Sequence, residues 1–249
     1  MKFIGIIPAR YASTRFPGKP LADMDGKSMI QRVYEQACKA LDEVWVATDD
    51  ECILTAVEAF GGKAVLTSSA HRSGTDRCEE AFLKLGKDFD VIINIQGDEP
   101  FIKPEQIETL KDCFKNENTE IATLVKAFRK EDGFEALFNP NSPKVVINKN
   151  DEAIYFSRSI VPYIRDAHHL SWMDKYTFYK HIGMYAYRAD VLALITKLPQ
   201  SSLEIAESLE QLRWIENGFR IKIGYTTIET QGIDTPEDLN KALEFLKRT

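Results

Sequence analysis

Only four of the 249 residues are cysteine, and Cys38, Cys52, Cys78 and Cys113 stand too far apart for any CxxC pair. This excludes a zinc ribbon or a disulfide framework and leaves free, mostly buried thiols suited to a reducing compartment. Neither GxGxxG nor GxxxxGKS/T occurs, because Gly18-Lys19 runs into Pro20 where a P-loop needs a hydroxyl residue, so a dinucleotide dehydrogenase and a P-loop kinase are disfavoured. Basic charge is not in surplus either. A net charge of −6 and an isoelectric point near 5.4 exclude a sequence-independent nucleic-acid binder. No apolar run approaches membrane-spanning length, and the stretch between Lys2 and Pro8 is too short for a signal-peptide core, so the chain is expected in the cytoplasm, off the membrane. Internal repeats and low-complexity segments are lacking too, which fits one core sheet.

What is present is an alternation. Strand patterns in the apolar run from Phe3 to Ile7, at Val44–Thr48 and at Ala64–Thr67 are separated by helical spacings over Ser28–Leu41, with Ser28 and Gln31 as a capping box, and over Ile53–Phe60, capped by Asp49 or Asp50. This rhythm predicts right-handed βαβ crossovers and a mostly parallel sheet covered on both faces. A further helix opens at Ser73 or Thr75 and runs to Leu85, the apolar strand Val91–Ile95 follows, and Pro104 starts the next helix before a strand from Ile121.

Three polar loops follow the carboxyl ends of strands, where open parallel sheets bind ligands. After the first strand come Arg10, Arg15 and Lys19, in a loop that Pro8, Pro17 and Pro20 keep from coiling into a helix; such a loop can wrap a polyphosphate. His71-Arg72-Ser73-Gly74-Thr75-Asp76-Arg77 follows the third strand, either as a ligand loop or as a capped helix start. Gln96-Gly97-Asp98 follows Val91–Ile95, and its carboxylate either holds magnesium over phosphates or forms a turn.

From about Lys130 the alternation breaks. Val145–Ile147 and Ala153–Phe156 predict a hairpin, Tyr179–Tyr187 an aromatic strand, and Ser201 with Glu204 a capping box for one helix through Leu209, Leu212 and Ile215 that Gly218 stops. Arg220–Tyr225 is a late strand, and Thr235 caps a final helix with Pro236 in its first turn. A single domain over 1–249, with an inserted lobe at about 130–187 for sugar binding and dimerisation, is the expected organisation.

Seven stretches in this order resemble the CMP-Kdo synthetase family, the 3-deoxy-manno-octulosonate cytidylyltransferases of lipopolysaccharide biosynthesis. They are Ile7 to Pro20, His71 to Arg77, Asn94 to Pro100, Phe156-Ser157-Arg158, His181-Ile182-Gly183 with Tyr185, Leu209 to Arg213, and Gly232 to Asp238. Phe16 departs from the more usual Leu, an apolar exchange that touches no chemistry.

The resemblance implies a three-layer α/β/α Rossmann-like nucleotidyltransferase fold, transfer of CMP from CTP to Kdo with release of pyrophosphate, magnesium as cofactor and a homodimer. It implies Arg10, Lys19, Asp98 and Asp234 as the catalytic set, with Arg10, Arg15 and Lys19 on the triphosphate and the two aspartates on magnesium. Ser73 and Arg77, with the Ala9 backbone, take the cytidine. Arg158 takes the sugar carboxylate, and Gln96, His181, Tyr185 and Glu210 the sugar hydroxyls. Simpler roles stand beside these: His181 as a satisfied core histidine, Glu210 as a helix-surface charge, Asp234 as a helix cap. Amino-Kdo or a sialic acid is the alternative sugar acid, and a non-catalytic nucleotide-binding protein the alternative class.

Overall fold

The computed structural model describes residues 1–12, 16–86, 88–229 and 232–247. The chain forms two compact units, Met1–Glu108 with Thr230–Thr249, and Thr109–Glu229.

In the first unit β1 (Phe3–Ala9), β2 (Val44–Thr48), β3 (Ala64–Leu66) and β4 (Val91–Asn94) pair in parallel in the order β3-β2-β1-β4. Ile4, Ile6 and Ile7 of β1 are all fully buried, so both faces of the sheet are covered, as the apolar runs predict. The chain winds outward from β1 in both directions, which opens a crevice past the carboxyl ends of β1 and β4. Helices α1 (Met29–Ala37), α2 (Glu51–Ala59) and α3 (Gly74–Leu85) form the crossovers.

Their caps are close to the expected ones. Ser28 accepts from the Gln31 amide N–H at 3.3 Å, but the Gln31 side chain donates to Glu35 instead of closing a box. Asp50 caps α2 by accepting from the N–H groups of Cys52 and Ile53, which leaves Asp49 for another partner. A last helix, Pro236–Leu246, is held by a reciprocal cap between Thr235 and Asp238. Ile233 and Ala242 bury against Met24 and Met29, which fastens the end of the chain to this unit.

In the second unit β5 (Ile121–Ala127) is central. The hairpin of β6 (Lys144–Ile147) and β7 (Ala153–Ser157) forms as expected, β6 also pairs antiparallel with β8 (Tyr179–Arg188), β8 pairs antiparallel with β5, and β5 pairs in parallel with β9 (Ile221–Tyr225). The β5–β8 register slips between Thr123 and Leu124, so Gly183 and Met184 form a bulge that no sequence signal but the glycine announced.

The one helix expected beyond Ser201 is instead two short ones, Ser202–Glu207 and Gln211–Glu216, broken where Ser208 turns left-handed at φ 50°. The carbonyls of Glu207 and Ser208 accept from the Arg158 guanidinium, at 2.6 and 3.2 Å, so a side chain takes the place of the continuing helical N–H groups. No helix among the described residues is long and apolar enough to cross a membrane.

Candidate active site

Past the carboxyl ends of β1, β3 and β4, a cavity of about 260 Å³ is lined by Arg10, Lys19, His71, Arg72, Ser73, Arg77, Gln96, Asp98 and Asp234. Four stretches far apart in sequence thus meet within the first unit. Gly97 makes the meeting possible, because a Cβ there would stand 2.9 Å from the Pro8 carbonyl oxygen and push the Asp98 loop off β1.

Lys19 is placed by its neighbours. Gly18 takes φ +68°, a conformation that disfavours a Cβ, and Pro20 is buried, which fixes the short helical turn Lys19–Leu21. The Lys19 ammonium donates to Asp98 Oδ2 at 2.7 Å and to Asp234 Oδ1 at 3.2 Å. The two loops are also joined by their backbones, since the Ile233 N–H donates to the Asp98 carbonyl at 2.9 Å.

Two carboxylates converging on one small cation suit a metal ion. Among the described residues no group of three or more His, Cys, Asp or Glu converges as a closed cage, so two protein ligands would leave most positions to phosphate oxygens and water, as magnesium prefers. The side-chain cap of the last helix is Thr235 and not Asp234: Thr235 accepts from the Asp238 N–H, and the Asp238 carboxylate accepts in return from Thr235 and from the Asp234 N–H.

Arg10 is exposed at the mouth of the cavity. Arg15 lies outside the described residues. Ala9, which ends β1, is buried. Ser73 takes both of its expected roles at once, lining the cavity while its hydroxyl accepts from the Asp76 N–H at 3.1 Å. Gln96 lines the cavity and donates to Asn94 Oδ1 at a long 3.5 Å.

Arg77 is nearly wholly buried and donates to Thr67 Oγ1 at 2.7 Å and to Asp49 Oδ2 at 2.9 Å. Sequence reading missed Asp49 and Thr67, although the pair Asp49-Asp50 offered one carboxylate more than a cap needs. It also missed Glu80. Burial works against the Glu80 carboxylate, but Lys84, the Ser68 N–H and His71 together hold it down to about 2, and so clamp the loop before Ser73 onto α3.

The remaining predicted residues belong to the second unit. The Arg158 guanidinium donates to main-chain carbonyls, with Nε on Glu207 and the terminal nitrogens on Pro140 and Ser208, while the Arg158 backbone N–H donates to the Glu207 carboxylate at 2.9 Å. The guanidinium borders an apolar cavity with Phe134, Phe138 and Trp172. Glu210 accepts from Arg213 at 3.1 Å, and Arg213 is itself buried beside Glu204.

His181 and Tyr185 face each other with ring centroids 5.3 Å apart, on either side of the β8 bulge. The Tyr185 hydroxyl is buried with no hydrogen-bond partner among the described residues, and burial pushes its pKa well above the ordinary phenol value. A buried hydroxyl left without a partner is costly, and a polar ligand would satisfy it.

The Thr123 hydroxyl donates to the Met184 carbonyl at 2.9 Å, so toward His181 Nε2, 3.0 Å away, it can only accept. His181 therefore carries its proton on Nε2 and offers Nδ1 as an acceptor. Its edge keeps some exposure, yet the ring nitrogens lie in dry surroundings, and burial pushes the imidazole down to about 3. In the unfolded chain it titrates near its ordinary value, so between about pH 6.5 and 3 the unfolded state binds the extra proton and stability falls as pH falls. The expected result is that His181→Gln loses less stability than the parent across this window, in urea unfolding at a series of pH values. Parallel curves for the two proteins would contradict it.

A family model described as cytidylyltransferase matches residues 4–223. A 3-deoxy-manno-octulosonate cytidylyltransferase of Parabacteroides distasonis is 71% identical over 247 residues, covering 99% of this chain and 98% of that protein. One of Thermodesulfovibrio yellowstonii is 53% identical, covering 99% of this chain and 98% of that protein. A solved structure of CMP:2-keto-3-deoxy-manno-octonic acid synthetase complexed with CTP superposes with a TM-score of 0.91 at 44% identity, covering 100% of this chain and 99% of the other. The 4-diphosphocytidyl-2C-methyl-D-erythritol synthase of Anaerococcus prevotii shares the fold alone, at 13% identity and a TM-score of 0.62, covering 99% of each chain. On a parallel sheet with converging cations and carboxylates beyond its strand ends, and with relatives this near over the whole length, the chain belongs to the 3-deoxy-manno-octulosonate cytidylyltransferase family.

Proposed function

We propose that the chain activates Kdo by transferring CMP from CTP to the sugar's anomeric hydroxyl, releasing pyrophosphate. The observation that carries this is the single cavity in which cations from two loops meet a carboxylate pair at the ends of parallel strands. Attack at the α-phosphorus builds charge on phosphoryl oxygens and on the departing pyrophosphate, so the chain's task is to position and to neutralise. Arg10, Arg15 and Lys19 supply positive charge along the triphosphate. Ser73, Arg77 and the Ala9 backbone hold the cytidine, with Arg77 kept in place by Asp49 and Thr67.

Asp98 and Asp234 are the proposed magnesium ligands, and the ion when bound neutralises phosphate oxygens and acidifies the attacking hydroxyl. No side-chain base is then needed. For the sugar acid, Arg158 is the proposed carboxylate partner, with Gln96, His181, Tyr185 and Glu210 on hydroxyls. His181 Nδ1 accepts from a hydroxyl, and the Tyr185 hydroxyl gains the partner it lacks.

Two further parts belong to the proposal. The exposed apolar side chains Phe138, Ile154, Tyr163 and Leu170 of the second unit support a homodimer. Free thiols at every cysteine, two of them exposed, support a cytoplasmic location.

Pyrophosphate release, measured for each nucleoside triphosphate against Kdo, 8-amino-Kdo and sialic acid, tests the whole. CTP with Kdo is expected to be the fastest pair. Release only with another acid would move the substrate assignment, and no release with any pair would favour a binding protein.

A further inference from the structure

Like charges do not sit side by side without a counter-ion, and Lys19 pairs with both of the proposed metal ligands. Its ammonium touches both carboxylates, at 2.7 and 3.2 Å, and its side chain is only 15% exposed. A divalent ion arriving alone would have to displace an ammonium that already pairs with both carboxylates. A triphosphate changes that balance, because it brings several negative charges to the same cavity and offers Lys19 a new partner. The backbone at Lys19 is fixed by Gly18 and Pro20, while four rotatable carbons let the ammonium cross from carboxylate to phosphate without moving the loop.

Taking Asp98 and Asp234 as the metal ligands proposed above, we infer that Lys19 holds the metal position closed until the nucleotide draws it away, so that the divalent ion enters with or after CTP and not before. Lys19 thereby couples the two ligands. Because such coupling is reciprocal, whatever weakens the hold of Lys19 on the carboxylates also uncouples metal from nucleotide.

The test is Mn²⁺ binding to the nucleotide-free, full-length chain, with free ion read by electron paramagnetic resonance. Lys19→Met is expected to bind Mn²⁺ about tenfold or more tightly than the parent, Lys19→Arg to bind as weakly as the parent, and Asp98→Asn in the Lys19→Met background to abolish the gain. Thermal melts check that each variant is folded, and Lys19→Gln replaces Lys19→Met if that variant melts early. A parallel arm follows water-proton relaxation with Mn²⁺ and α,β-methylene-CTP on the parent and on Asp98→Asn and Asp234→Asn. If the ternary complex needs both aspartates and Lys19→Met binds Mn²⁺ no more tightly than the parent, the closing role of Lys19 is overturned and the metal ligands stand. If the ternary complex forms equally well without the aspartates, the metal assignment falls and the role of Lys19 falls with it.

Discussion

Asp98→Asn and Asp234→Asn each leave the fold intact and lower turnover by about three orders of magnitude. The two halves of this expectation rest on different observations. The fold survives because neither carboxylate is deeply buried, with side-chain exposures of 32% and 47%, and because the bond joining their loops is made by backbone atoms, Ile233 N–H to the Asp98 carbonyl. It also survives because helix capping belongs to Thr235 and Asp238, so the simpler role for Asp234 is already filled. Turnover collapses because an amide keeps the shape and loses the charge that a divalent ion requires. The measurement is pyrophosphate release at saturating CTP and Kdo, beside urea unfolding of the same preparations. Near-normal activity of Asp234→Asn at limiting magnesium would rule out a two-carboxylate metal site.

The second large effect falls on stability. Asp49→Ala is expected to cost about 3 kcal/mol, because it strands the Arg77 guanidinium in a site where that side chain is only 5% exposed and keeps Thr67 as its one other side-chain partner among the described residues. The same change should raise KM for CTP, since Arg77 lines the cavity and would turn toward whatever acceptor is left. Replacing both partners, as Asp49→Leu with Arg77→Met, is expected to recover most of the stability and none of the nucleotide affinity. The reason is that an apolar pair of similar volume removes the stranded charge together with the proposed cytidine contact. Urea unfolding of the two single variants and the double variant, with CTP titration of each, measures both parts. A loss under about 1 kcal/mol for Asp49→Ala would show that the pair does not stabilise the fold, and full CTP affinity in the double variant would show that Arg77 does not hold the nucleotide.

The alternation of strands and helices in the first unit was legible in the sequence because local signals there agree with the fold. Apolar runs in β1 and β4 are buried on both faces, Ser73 and Thr235 cap where a hydroxyl precedes a helical spacing, and loops after strand ends carry the polar side chains. The second unit was legible in its hairpin and less so elsewhere. Nothing local distinguishes Ser208 from a residue inside a helix; its left-handed turn is stabilised by Arg158, fifty residues earlier in sequence. The β8 bulge likewise depends on Thr123 across the strand pair. In the site, the convergence of Lys19, Asp98 and Asp234 was anticipated as chemistry, but their direct contact was not, because a metal-binding motif names the ligands and is silent on what neutralises them beforehand. Asp49, Thr67 and Glu80 escaped for a related reason: each acts on another side chain of the protein, and periodicity carries no trace of such pairings.

The bond from Ile233 to the Asp98 carbonyl, with Ile233 and Ala242 seated on Met24 and Met29, also bears on how the chain is made. Synthesis delivers Arg10, Lys19, Arg77 and Asp98 early, then spends residues 109–229 on the other unit before Asp234 emerges. A growing chain on the ribosome can therefore assemble the sheet and its cationic loops while one of the two carboxylates is still unmade. On the metal assignment proposed above, a chain that has not yet reached Asp234 holds one of the two ligands and lacks the other.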